Sequence, residues 1–393
     1  MNLERIEKIG ILEPMNFGDL LCSVPLFRSL RQAWPEAEIV LIGDRYVIPF
    51  FGRFRHYLDR LLLFECDIEW GEADELASFI QTVRAEHFDL LLKLYYWLGK
   101  KPGRCWWDEH LPLKEREKEA GSVESGAGRG ISADKYWEGH QRSIQLACSL
   151  GARITAGIAE ESALAPASFI RVSHRQDRYI VHTMLRLAEA LGLPTCGDNL
   201  EFPITDQDVA AVRSLWTEHG LLGHAPIVGM HPGANVAYRR WPPGYFAQAA
   251  DGIIERYGAR IVFTGTSSEH LIIADILDQM RHPSQAHDLS GRTELGALAA
   301  LFDQLNFLIT NSTGSLHIAV ARRCPSITIF GVQVEAIQWQ GQDSRLHFSL
   351  LAPNGGAGMS FEEAMRAVTV DQVLDAAGQL MQARSGITRG RSW

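Results

Sequence analysis

Four short polar turns hold the residues best suited to chemistry: Asn16-Phe-Gly-Asp19, His231-Pro-Gly233 with Arg239-Arg240, Thr264-Gly-Thr-Ser-Ser-Glu269, and Asn311-Ser-Thr-Gly-Ser-Leu-His317. Asp19 stands where a helix begins, after a turn that Gly18 lets run close. Its carboxylate suits a general base, and it equally suits a helix cap. Arg239 or Arg240 can neutralise a diphosphate through a guanidinium fork, or lie as a solvated pair beside a helix start. Glu269 can accept from ribose or sugar hydroxyls, or serve as an acid favoured by a helix dipole. The last turn is the most informative. A strand, a Gly/Ser/Thr turn and a helix leave backbone N–H groups and a positive dipole end facing one point, which suits a phosphate. Ser312, Thr313, Gly314 and Ser315 offer donors there, and His317 adds a cation or a further donor. The competing reading is a plain helix cap.

These turns need elements to hold them. Lys8–Leu12, Ala37–Gly43 and Phe88–Leu94 read as strands, with one helix over Asp19–Ala33. Helical spacing returns at Trp137–Leu150 and Tyr179–Leu191. The stretch 99–133 is rich in Lys, Glu and Gly and reads as a long loop. After a break at Gly192–Asn199 the alternation repeats. Strands are expected at Pro226–His231, Arg260–Thr264, Leu305–Thr310 and Ser326–Phe330. Helices are expected at Tyr245–Tyr257, Ser268–Met280, Thr293–Phe302 and Leu316–Arg323. Near-continuous apolar strands alternating with helices imply an α/β protein with two parallel sheets, each covered on both faces. A last helix, Val370–Met381, precedes a basic tail. The reading is an N-terminal domain over 1–200, a C-terminal domain over 201–369 and a closing segment over 370–393.

At 393 residues two domains are the default. A net charge of −9 argues against nucleic acid as the main partner. The apolar runs are too short for a membrane span, and the N-terminus has no apolar signal region. At most a peripheral membrane association is expected. The six cysteines form no CxxC pair, so neither a structural metal site nor a disulfide framework is expected. Scattered thiols fit a cytoplasmic location.

With the four turns in this order, the chain resembles the glycosyltransferase family 9 heptosyltransferases of lipopolysaccharide synthesis. The resemblance rests on Asn16-Phe-Gly-Asp-Leu-Leu-Cys-Ser-Val-Pro25, on His231-Pro-Gly with Arg239-Arg-Trp-Pro242, and on Asp288-Leu-Ser-Gly-Arg-Thr-Glu-Leu295 running to Asn311–His317 and Phe330-Gly331. It implies a GT-B fold, in which two Rossmann-like domains face a cleft. It implies transfer of a sugar from a nucleotide donor, usually ADP-heptose, with inversion and without a metal or other cofactor. Asp19 matches the proposed base. Arg239 stands where the family commonly has a phosphate-binding lysine, and Glu269, Thr313, Gly314 and His317 match donor contacts. The donor set is then His231, Gly233, Arg239, Arg240, Glu269, Ser312, Thr313, Gly314, Ser315 and His317. Asn16, Gly18, Lys93 and Tyr95 are assigned to the acceptor, a hydroxyl of a glycan, glycolipid or other molecule. The closing helix often crosses back onto the first domain in the family. Ser312 departs from the pattern, since the family usually has aspartate there. The overall acceptor balance also departs. Residues 1–171 carry about 21 Lys/Arg against about 26 Asp/Glu, mildly acidic for a phosphorylated lipid acceptor. A protein or small-molecule acceptor, or a GT-B-type sugar-nucleotide epimerase, stays open.

Overall fold

The computed structural model describes residues 5–12, 17–43, 45–63, 73–94, 141, 143–159, 161, 163–173, 179–223, 226–341 and 343–385. The expected loop at 99–133, Asn16, Tyr95 and the basic tail beyond residue 385 lie outside these. Contacts divide the chain into Met1–Asn199 and Leu200–Trp393.

In the first unit six strands form one sheet: β1 Lys8–Leu12, β2 Glu38–Gly43, β3 Arg60–Leu63, β4 Leu90–Lys93, β5 Ile154–Ala159 and β6 Phe169–Ser173. Their order is β3-β2-β1-β4-β5-β6, and every pairing is parallel. The second unit repeats the plan with β7 Ile227–His231, β8 Arg260–Phe263, β9 Ala286–Asp288, β10 Phe307–Asn311, β11 Ser326–Gly331 and β12 His347–Leu351. Its order, β12-β11-β10-β7-β8-β9, is also wholly parallel. Counted within each unit, both sheets run 3-2-1-4-5-6, the doubly wound arrangement. Central strands such as β4, β10 and β11 are buried along their whole length, which is why they read as continuous apolar runs.

One sequence expectation changes. The single helix expected over 19–33 is two, Phe17–Cys22 and Val24–Ala33. Ser23 separates them, and Pro25 in the first turn of the second removes an N–H that a continuous helix would need. The closing helix, Val370–Ser385, buries Val373, Leu374, Ala376, Ala377 and Leu380 in the second unit's core, beside Phe246, Ile253 and Ile254 of helix Pro243–Tyr257. A β-carbon on Gly252 would stand 3.0 Å from the Leu374 methyls, so glycine there lets the two helices approach closely.

Candidate active site

In an open parallel sheet, ligands bind past the carboxyl ends of the strands where the order reverses. In the first unit that point lies between β1 and β4, with Leu12 paired to Lys93. The helix Phe17–Cys22 follows β1 and buries Gly18 and Asp19, the latter 8% exposed. Ser23 Oγ donates to the Asp19 carbonyl at 3.3 Å. Burial and the Asp19 charge together push the Cys22 thiol well up. Lys93 is fully buried, and its Nζ donates to the Ile158 carbonyl at 3.1 Å.

In the second unit the switch point lies between β7 and β10, with Thr310 paired to His231. Asn311 binds the strand ends together. Its Nδ2 donates to the carbonyls of Pro232 (2.8 Å) and Gly233 (3.3 Å), and its Oδ1 accepts from Trp241 N–H at 3.1 Å. This fully buried amide therefore fixes the loop that carries the two arginines. The sequence marks Asn311 as the start of the turn and carries no sign of this bracing role.

The helix Gly314–Ala321 opens on Thr313, whose side chain makes no capping hydrogen bond. Thr313 Oγ1 instead meets Ser315 Oγ at 2.6 Å, and Ser315 Oγ meets Thr310 Oγ1 at 2.9 Å. The hydroxyl of Ser315 is thus committed inside the protein. The amides of Gly314 and Ser315 open the helix, where no carbonyl four residues earlier is available to them. That leaves backbone donors and the dipole end for an anion, beside half-buried Ser312, and it sets aside the side-chain-cap reading for Thr313. Of the two roles open to His317, cation or neutral donor, burial disfavours the cation. His317 is 5% exposed, and burial lowers its pKa to about 4, so the ring is neutral at physiological pH. It packs edge-on against Trp339 at 5.7 Å.

Glu269 is both a cap and a site candidate. Its Oε2 accepts from Thr266 N–H at 2.7 Å and from Thr266 Oγ1 at 3.0 Å, closing a capping box. Its other oxygen lies over the β7 loop, so that a β-carbon on Gly233 would fall 1.6 Å from Oε1. Gly233 is thus required by the approach of this carboxylate. His231 Nδ1 is 3.1 Å from Thr264 Oγ1, and burial pushes the ring's pKa down against the opposing pull of Glu269. The two arginines separate in role. Arg240 turns back and donates to the Ala234 carbonyl through Nε (3.0 Å) and Nη2 (2.8 Å), which holds its own loop. Arg239 Nη2 reaches Glu335 Oε1 at 2.5 Å. Glu335, from helix Gln333–Trp339, is not among the residues the sequence singles out. Its only sequence signal is a lone acid among Val334, Ala336 and Ile337. Among the described residues, no group of three or more His, Cys, Asp or Glu side chains is placed to hold a metal ion.

The profile of Glycosyltransferase family 9 (heptosyltransferase) matches residues 137–340. Lipopolysaccharide heptosyltransferase 2 of Salmonella typhimurium is 28% identical over 334 residues, covering 82% of each chain. Lipopolysaccharide heptosyltransferase 2 of Escherichia coli is 22% identical over 340 residues, again covering 82% of each. Among solved structures, a family 9 glycosyl transferase from Veillonella parvula superposes with a TM-score of 0.69 at 19% identity, covering 96% of this chain and 97% of that one. The E. coli ADP-heptose LPS heptosyltransferase II superposes with a TM-score of 0.64 at 17% identity, covering 96% and 99%. The paired doubly wound sheets are those of the GT-B fold. With its profile spanning more than half the chain and its polar turns at both switch points, this protein is a glycosyltransferase belonging to glycosyltransferase family 9.

Proposed function

We propose that this glycosyltransferase moves heptose from ADP-heptose to a hydroxyl of the lipopolysaccharide inner core, with inversion at the anomeric carbon. The observation that carries the donor half is the uncapped start of helix Gly314–Ala321, braced through Asn311 to the loop of Arg239. The names of the relatives supply the sugar and the acceptor class. In this reading the second unit takes the donor and the first takes the acceptor. The diphosphate meets Arg239 and the amides of Gly314 and Ser315, and the ribose hydroxyls meet Glu269. The acceptor oxygen attacks the anomeric carbon from the face opposite the diphosphate, and Asp19 takes its proton. The bond from that carbon to the phosphate oxygen breaks, and its electron pair leaves with the diphosphate. Fixed donors aimed at the developing charge lower the barrier.

Among the described residues no helix is long and apolar enough to cross a membrane. We place the enzyme in the cytoplasm, at most peripheral to the membrane where its lipid-linked acceptor is made. One observation favours a less anionic acceptor, a protein or small molecule: the acidic balance of about 21 Lys/Arg against about 26 Asp/Glu in residues 1–171. Calorimetric titration with ADP, GDP, UDP and dTDP tests the donor, and ADP is expected to bind tightest. Tighter binding of another base overturns the ADP-heptose reading. Product analysis with donor alone separates transfer from epimerisation.

A further inference from the structure

Nothing in the proposed transfer uses Glu335, yet it pairs with the arginine assigned to the diphosphate. The two residues are 96 positions apart in sequence. The Arg239 side chain is 28% exposed and that of Glu335 only 7%. Glu335 Oε2 is buried and makes no hydrogen bond. The short helix presenting it is braced on the anion turn's own helix. Ala336 packs with Leu316 and Phe330, and Trp339, one turn beyond Glu335, meets His317 edge-on. The same packing therefore locates the turn's helix and the carboxylate.

A negative charge beside a phosphate-binding arginine works against anion binding at first sight. The cost of separating the pair resolves this. Were Arg239 to swing away with an arriving donor, the buried Glu335 carboxyl would lose the guanidinium as its hydrogen-bond partner and have neither oxygen paired, which is unfavourable. Arg239 must then meet the diphosphate from where Glu335 holds it. A guanidinium is planar and carries N–H donors on more than one edge, so it can address a carboxylate and a phosphate together. A lysine ammonium is a rotatable point charge and gains no fixed plane from such a partner.

The geometry points to Glu335 as the positioning residue for Arg239, fixing the guanidinium plane for a nucleoside diphosphate before the donor arrives. This deepens the donor reading above and rests on it.

The test is a double-mutant cycle on the full chain with E335Q, R239K and the pair. ADP and inorganic pyrophosphate binding are measured by calorimetry, donor KM and kcat by transfer assay, and folding by thermal melt. E335Q should weaken ADP by about tenfold and raise donor KM by a similar factor, with kcat changed less. R239K should behave alike, and the double variant should be within about twofold of R239K alone, because both changes act through one contact. If E335Q fails to fold, E335D carries the test. It keeps the charge but shortens the reach, and a loss of ADP affinity is again expected. An E335Q or E335D protein that binds ADP as tightly as the unaltered chain overturns the inference, and so do losses that simply add in the double variant. An unaltered protein that binds neither ADP nor pyrophosphate removes the donor reading and this inference with it. One that binds both while the Glu335 variants have no effect removes this inference alone.

Discussion

The two halves of this protein share one strand order and differ in what hangs from it. In the first, β1 leads to a single buried carboxylate, Asp19, and β4 ends in a lysine folded back onto Ile158. In the second, β7 and β10 end in a network: Asn311 holds the Pro232 and Gly233 carbonyls, Thr310 holds Ser315, and Thr264 holds His231. The doubly wound sheet decides where a ligand goes, and the residues at the strand ends decide what it does there. One switch point holds the carboxylate proposed as the base, and the other holds the turn proposed for the diphosphate. A sugar transfer with a phosphate leaving group needs both kinds of group.

The largest effect should come from removing the carboxylate of the first half. Asp19→Asn keeps the shape and loses the base. A positioned general base contributes roughly 10²- to 10⁴-fold, so kcat for transfer should fall by about that factor. ADP affinity, which the proposed function assigns to the other half, should stay unchanged. Steady-state transfer assays paired with ADP calorimetry make the check. Near-normal turnover, or a parallel loss of ADP binding, breaks the division of labour between the halves.

A smaller and opposite pattern should follow from Gly233→Ala in the second half. The added methyl would fall 1.6 Å from Glu269 Oε1, so the carboxylate must move. Overpacking of this kind costs about 1–3 kcal/mol, and here it displaces a proposed ribose contact. Donor KM should rise about tenfold or somewhat more, with acceptor KM unchanged. Glu269→Ala should show a similar rise, and adding Gly233→Ala to it should do little more. If the two changes add in full, the clash does not act through Glu269.

Much of this contrast was readable in the sequence, for physical reasons that also mark where reading stopped. Central strands such as β2, β7 and β10 announce themselves because burial on both faces makes them continuously apolar. Edge strands do not. β3 is half-buried, β9 has three residues, and β12 runs His347-Phe-Ser-Leu-Leu with only His347 fully buried, so their patterns resemble loops. β5 is Ile-Thr-Ala-Gly-Ile-Ala, whose small residues hide a buried central strand. The expected elements include no helix at Asp206–Glu218, although Thr205 and Asp208 form a capping box that its sequence spells out. At the site, the turn Asn311–His317 was recognised from its Gly/Ser/Thr content. What could not be read was tertiary: that Asn311 braces a loop 70 positions away, that Glu335 claims Arg239 across 96, and that burial neutralises His317.

The smallest effect on transfer is expected from that histidine. With a folded-state pKa lowered from 6.5 to about 4 by burial, His317 is uncharged from pH 6 to 8. It adds no cation to the diphosphate there, so His317→Gln should change ADP affinity by no more than about threefold, with no new pH dependence over that range. Stability should show the histidine instead. Because the unfolded chain binds the proton more readily, the contribution of the neutral ring is complete above pH 6.5 and is lost as pH falls toward 4, up to about 3 kcal/mol. His347, likewise buried and lowered to about 4, contributes in the same window, and its Nδ1 contact with Ser326 Oγ would have to be remade on protonation. Urea melts between pH 7 and 4 should therefore be steeper in pH for the unaltered chain than for His317→Gln, while ADP titrations over pH 6–8 coincide. An ADP affinity that falls through pH 6–7 in the unaltered protein and not in the variant would instead return His317 to the donor site as a cation, and make the second switch point a charged array rather than a set of neutral donors around one arginine.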